Sequence, residues 1–348
     1  MTVISGGTAL VGEGFESVEN ASISIAGEII EAIEDHASGD GVDARGLTLI
    51  PGFIDAHVHI GFYPPASVLD GGVTTVRDLA WPPDVIFPLA EESRGPGFDG
   101  PRILAAGPML TAPGGYPTKA SWAPPGTGRV VGSPDTAAAA VDEVADAGSV
   151  IVKVALNASA GPTLDLPTLA AIVSAAHDRS LKVTGHVFGL EELHKALDAG
   201  MDELAHMLMS SEEIPDETID RMVQADMCVV PTLSVRYGRD RRTAIDNLRR
   251  FAERGGTIVY GTDLGNQGPQ PGIDRREIKA MTAAGLDGRR ILASGTTDAA
   301  GWLDLHDSGV LEPGRRADIV GVIGDPLEDP IALTKVKLVV RGGRVVRA

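Results

Sequence analysis

The apolar positions of this chain follow two rhythms. Over residues 2–50 they come as short stretches, at 2–4, 21–25, 28–33 and 47–50, separated by Gly6-Gly7, Gly12 and Gly27. Short apolar runs bounded by glycine predict strands. Residues 317–323 and 336–340 have the same character, and Gly342-Gly343 turns the last of them. Neither end is large enough to bury a convincing core alone. Together they predict a small β-sandwich built from residues 1–50 and 311–348.

From about residue 51 to 310, strand-like apolar runs alternate with helical stretches. The first run ends in His57 and His59. The others are 73–78, 102–109, 150–156, 182–187, 203–208, 228–233 and 257–263. The intervening pattern predicts helices over 136–147, 166–179, 190–199, 216–225, 241–254 and 275–284. Alternating strands and helices, with the strands apolar on both faces, predict an α/β fold with a parallel sheet. Eight such units predict a (β/α)8 TIM barrel, whose active site would lie at the C-terminal ends of the strands. A doubly wound open sheet is the alternative. No Gly-x-Gly-x-x-Gly turn follows the first strand, which counts against it.

Composition narrows the function classes. The 348 residues are enough for a barrel of about 250 residues and a second unit. The formal net charge of −18 makes nucleic acid and anionic membrane surfaces poor partners. Cys228 is the single cysteine, which rules out an intramolecular disulfide and a Cys-rich zinc site. The first residues carry no basic and apolar leader, and no apolar run approaches the length of about 20 residues that spans a bilayer. A cytoplasmic location is the expectation.

The candidate chemistry sits in the strands. His57 and His59 occupy positions i and i+2, so their rings point to one side, and two neutral imidazoles together begin a metal site. Lys153 interrupts the apolar run 150–155, where an ammonium is costly unless paired or neutralised. His186, His206 and Asp263 stand at or near the ends of later runs. Taken singly, such histidines are more often hydrogen-bonded core residues, and an aspartate there is more often a helix cap. Taken together, five strands of one barrel each offer a group able to bind metal at the same mouth. His36, His177, His194 and His306 fall in helices or loops and receive no catalytic role.

In this order, these residues resemble the amidohydrolase superfamily, and within it the imidazolonepropionase-like group that includes metal-dependent dipeptidases and carboxypeptidases. The matching pieces are PGFIDAHVHIG (51–61), GVTTVRDLA (72–80), VKVALN (152–157), VTGHVFG (183–189), ELAHM (203–207), VVPTLS (229–234), YGTDLG (260–265) and EPGRRADIVGVIGDPLED (312–329). The resemblance implies a two-metal site, usually zinc. His57, His59 and Asp263 would hold one ion, His186 and His206 the other, and a carboxylated Lys153 would bridge both. It also implies hydrolysis of an amide or peptide C–N bond of a small molecule, such as a dipeptide, an N-acyl amino acid or a cyclic amide, by metal-activated hydroxide. Asp263 would carry the proton. A homo-oligomer is expected, since relatives often form one. Lactone, ester or phosphoester hydrolysis on the same site is the alternative, because the same attack suits any polarised carbonyl or phosphoryl centre. A non-catalytic assembly protein would be expected to lose ligands, and here all six positions are filled.

Softer candidates for substrate contact are Arg77 at the end of the second strand, Arg236 and Tyr237 just beyond the seventh, and Tyr116. The last lies in the Pro- and Gly-rich loop 111–131, whose length suggests a lid or binding loop. Relatives often carry Gly-Gly-His where this chain has Gly114-Gly115-Tyr116.

Overall fold

Six-residue runs that mix apolar residues with a few polar ones fold here as strands buried at every position. The computed structural model, which describes residues 2–36 and 41–348, shows this for Phe53–Val58, Val73–Asp78 and Val152–Asn157. Phe53–Val58, Val73–Asp78 and Arg102–Ala105 pair in that order, all parallel. A second parallel set runs Gly128–Val130, Met109–Thr111, Val152–Asn157, Val183–Phe188, Glu203–Leu204, Cys228–Val229. The fold class is therefore α/β, as the alternating pattern requires.

The last of the eight expected runs is not a regular strand, yet it bonds on both sides. Val229 donates to Thr257 O and Val259 donates to Val229 O on one flank. On the other, Ala56 donates to Tyr260 O, Asp263 to His57 O and His59 to Leu264 O. Two neighbouring runs also end early, at Glu203–Leu204 and Cys228–Val229. Farther along the three runs, Leu208, Thr232 and Asp263 have φ of 24°, 47° and 58°. Such left-handed residues cannot continue a strand, and in a β-branched residue like Thr232 they are rare. All three lie beyond the regular strands, and two of them, Thr232 and Asp263, enter the site described below.

Helices cover the strands close to where periodicity places them: Ala137–Asp146, Leu166–Asp178, Leu190–Asp198, Asp216–Gln224, Gly238–Glu253 and Arg275–Ala283. The helices Pro65–Asp70, Pro83–Glu92, Gly288–Ser294 and Thr297–Trp302 were not expected. Each is ten residues or shorter, so its period is hard to read. No helix among the described residues is long and apolar enough to cross a membrane.

Both chain ends enter one eight-stranded sheet. Its order is Arg344–Arg347, Val336–Arg341, Ile319–Ile323, Leu47–Pro51, Thr2–Val11, Glu16–Ala26, Ile29–Glu34, with Val42–Asp43 beside Thr2–Val11. The seam between the ends is antiparallel, with Val320 opposite Ile50. A separate buried cluster of Ile4, Ile23, Leu49, Ile319, Leu338 and Val340 draws on both ends. Leu47–Pro51 passes through Gly52 directly into Phe53–Val58, so this sheet anchors the start of the histidine strand.

One buried ion pair ties distant strands under the site. Arg77 Nη2 donates to Glu203 Oε1 at 2.6 Å and Arg77 Nε to Ala56 O at 2.8 Å, while Trp302 Nε1 donates to Glu203 Oε2. Both charged side chains are fully buried. Arg77→Met would strand the Glu203 carboxylate, and a loss of about 3–5 kcal/mol in urea unfolding is expected.

Candidate metal centre

The convergence begins at the end of Phe53–Val58. His57 Nε2 and His59 Nε2 lie 3.4 and 3.2 Å from Asp263 Oδ1, and the three donor atoms fall within 4.8 Å of one another. Backbone carbonyls fix the rings from behind. His57 Nδ1 bonds Ala205 O at 2.8 Å and His59 Nδ1 bonds Ala80 O at 3.3 Å. A proton engaged on Nδ1 leaves the Nε2 lone pair facing inward. Asp263 Oδ1 is buried and receives no donor in hydrogen-bond geometry.

The aspartate is aimed by its neighbours. Asp55 accepts from Thr262 Oγ1 at 2.6 Å, from Thr262 N at 3.1 Å and from His57 N at 3.1 Å, clamping the 260–263 segment to the histidine strand. Burial raises the Asp55 carboxyl to about 7. Gly261 lets these segments approach: a Cβ there would lie 2.3 Å from Val230 Cγ1 and 3.0 Å from His57 N.

A second pair faces the first. His186 Nδ1 and His206 Nε2 are 3.0 Å apart, and the His57 and His206 ring centroids are 4.7 Å apart. His206 Nδ1 is held by Thr232 Oγ1 at 2.8 Å, and His186 Nε2 meets the Asn157 amide at 3.1 Å. Asn157→Ala would free the His186 ring. Loss of such an outer partner weakens metal binding by about 10- to 100-fold, measurable by competition with a chelating dye.

Electrostatics favour neutral imidazoles at His57, His186 and His206. Burial, then the Lys153 charge, holds His57 well below the usual histidine range and His186 down at about 3; burial, then His57 and His186, does the same for His206. Burial also pulls His59 down, but the Asp263 carboxylate and then Asp78 outweigh it and raise the group. Lys153 Nζ is buried without a hydrogen-bond partner, and burial lowers it to about 7 against the pull of Asp263 and Glu203. Neutral imidazoles, an orphaned carboxylate oxygen and an uncharged amine are the states in which such groups accept a cation. All six residues line one cavity of about 300 Å³.

The remaining sequence-derived candidates divide. Tyr116 lines the cavity, its ring stacked on His186 at 5.1 Å and its hydroxyl accepting from Trp122 Nε1 at 3.0 Å. Arg77, Arg236 and Tyr237 do not line it. Arg77 is spent on Glu203 beneath the site. Arg236 is buried, with Nη2 bonded to Met207 O at 3.0 Å and Leu208 O at 2.8 Å. Tyr237 is half exposed, donating to Gln267 O at 3.2 Å beneath the Arg276 guanidinium. His177 and His194 bond Asp202 and Thr218 on the helical layer. The outer partners Asn157, Thr232, Ala80 and Ala205 escaped sequence reasoning. Only Asn157 left a signal, as the polar end of an otherwise apolar strand.

Parallel strands and the turns beyond them bring buried imidazoles, a lysine and an aspartate to one cavity on an α/β scaffold, and His57, His59 and Asp263 among them could hold a metal ion. The chain matches the Amidohydrolase family over residues 48–346 and belongs to it. It is thus an enzyme of the kind that hydrolyses carbon–nitrogen bonds. An uncharacterized protein of Mycobacterium tuberculosis is 27% identical over 86% of this chain and 85% of its own length. Adenine deaminase 2 of Rhizobium meliloti is 28% identical over 94% of this chain, but only 55% of the deaminase is covered. Among solved structures, a Xaa-Pro dipeptidase with methionine bound in its active site superposes with a TM-score of 0.85 at 26% identity, covering all of both chains.

Proposed function

We propose that this protein is a metal-dependent amidohydrolase that cleaves an amide C–N bond of a small molecule. The observation that carries the reading is the meeting of six side chains, from residue 57 to residue 263, around one cavity. In this reading residues 51–310 form a closed (β/α)8 barrel, supported by the hydrogen bonds that the 257–264 segment makes on both flanks. In the same reading the described residues of 1–50 and 311–348, whose strands lie in one eight-stranded sheet, would make up the small β-sandwich unit.

Two divalent cations, zinc in the simplest case, would be held by His57, His59 and Asp263 and by His186 and His206. Lys153, as a carbamate, would serve both. Its lowered pKa of about 7 supports this, because the neutral amine is the form that adds to carbon dioxide. A cation bound there would supply Lewis-acid polarisation of a carbonyl and a lowered pKa for water.

The chain's own groups do the rest. Asp263 accepts the proton of the attacking water and returns it to the leaving nitrogen. Carbonyls at Ala80 and Ala205 keep the imidazoles aimed. The Tyr116 hydroxyl, pushed up to about 12 by burial and then by Asp263, stays protonated; it accepts from Trp122, so its own proton is free for a substrate oxygen. Chelation with EDTA is expected to abolish amide hydrolysis, and added zinc to restore it. Hydrolysis persisting in protein shown by elemental analysis to be metal-free would overturn the reading.

A further inference from the structure

The cavity wall beside the imidazoles is largely aromatic and apolar, with the neutral amides of Asn157 and Asn266 also in the lining. Trp122 lies 5.3 Å from the His59 ring, 6.1 Å from Tyr116 and 6.3 Å from Phe62, centroid to centroid. Trp81 backs Phe62 edge-on at 5.0 Å. Met109, Phe188 and Met209 continue the lining. The Trp122 N–H is already satisfied by Tyr116, so the indole presents an apolar face. Phe62 keeps 42% of its surface exposed at this wall, an exposure that a bound apolar group would remove.

What the wall lacks is equally specific. Among the described residues that line it, Lys153 is the single side chain with a basic amine or guanidinium, and it belongs to the metal centre. The guanidinium of Arg236 sits behind Met209, its Nη2 3.0 Å from Met209 Sδ and committed to two carbonyls. Tyr237 turns away. A substrate carboxylate entering this wall would lose its hydration and meet no bidentate partner.

We propose that the substrate is a neutral amide carrying an aromatic or broad apolar group, with no free carboxylate, and that Phe62, Tyr116 and Trp122 select it. This rests on the amidohydrolase reading above and narrows it away from dipeptides and N-acyl amino acids.

A matched pair tests it: N-methylbenzamide and N-benzoylglycine differ only by the carboxylate. Zinc-loaded protein is assayed for hydrolysis of each, and binding is followed separately by tryptophan fluorescence. The expected result is tighter binding and a kcat/KM at least about tenfold higher for the neutral amide. Trp122→Ala is expected to weaken binding of that amide by about 10- to 200-fold at unchanged metal content. Tyr237→Phe is expected to change neither compound. Equal or better use of N-benzoylglycine, its selective loss in Tyr237→Phe, or no fluorescence response to either compound overturns the proposal. Selective binding of the neutral amide without hydrolysis upholds it and counts against the amidohydrolase reading instead.

Discussion

Asp263→Asn is expected to lower turnover by about 100- to 10,000-fold, the range for loss of a positioned general acid–base. The substitution is close to isosteric. Asparagine, like aspartate, tolerates the left-handed backbone that this position adopts at φ 58°. The clamp from Asp55 to Thr262 and the bond from residue 263 N to His57 O do not involve the side chain that changes. What disappears is the negative charge beside His57 and His59 and the oxygen able to take a proton. Asp263→Ala would mix this with backbone strain and is the poorer test. Steady-state kinetics together with elemental analysis separate the roles. Lost turnover with metal retained assigns proton transfer; lost turnover with lost metal assigns ligation. Near-normal turnover with metal bound would remove Asp263 from both.

Much of this arrangement is legible in the sequence because the chemistry interrupts the packing. Lys153 stands out for being a cation inside an apolar run, and His57 and His59 for sharing one side of a strand. Six helices fall within a few residues of where their periodicity puts them. The strand ends did not read correctly. Runs 203–208, 228–233 and 257–263 are rich in apolar residues, yet hydrophobicity says nothing of the φ angles at Leu208, Thr232 and Asp263. Carbonyl partners such as Ala80 and Ala205 leave no mark either, since every residue has a carbonyl. Arg77 looks like a mouth residue by position. Its fate depends on Glu203, 126 residues later, which only the folded chain brings to it. The same holds for Arg236, whose guanidinium finds backbone oxygens instead of solvent.

Lys153→Met is expected to move stability and function in opposite directions. In the metal-free protein Nζ is buried with no partner, a defect that costs about 1–3 kcal/mol. Methionine fills similar space without a polar atom. The pH dependence gives the sign. The folded-state pKa of about 7 lies below the ordinary 10.5, so between these values the unfolded chain binds more protons than the folded one. The lysine's cost is therefore fully present below pH 7 and fades as pH rises toward 10.5. Urea midpoints of metal-free protein should show the variant ahead at pH 6.5 and the gap narrowing by pH 9.5. A gap that widens with pH would mean that Lys153 is paired in solution. In the zinc-loaded protein the order should reverse. In the proposed reading, loss of the amine would leave nothing to form the carbamate between the two groups of ligands, so metal content and amide hydrolysis should both collapse. A residue that weakens the empty fold yet is required by the loaded enzyme is what a site built for cations predicts, and an inert structural lysine would not behave this way.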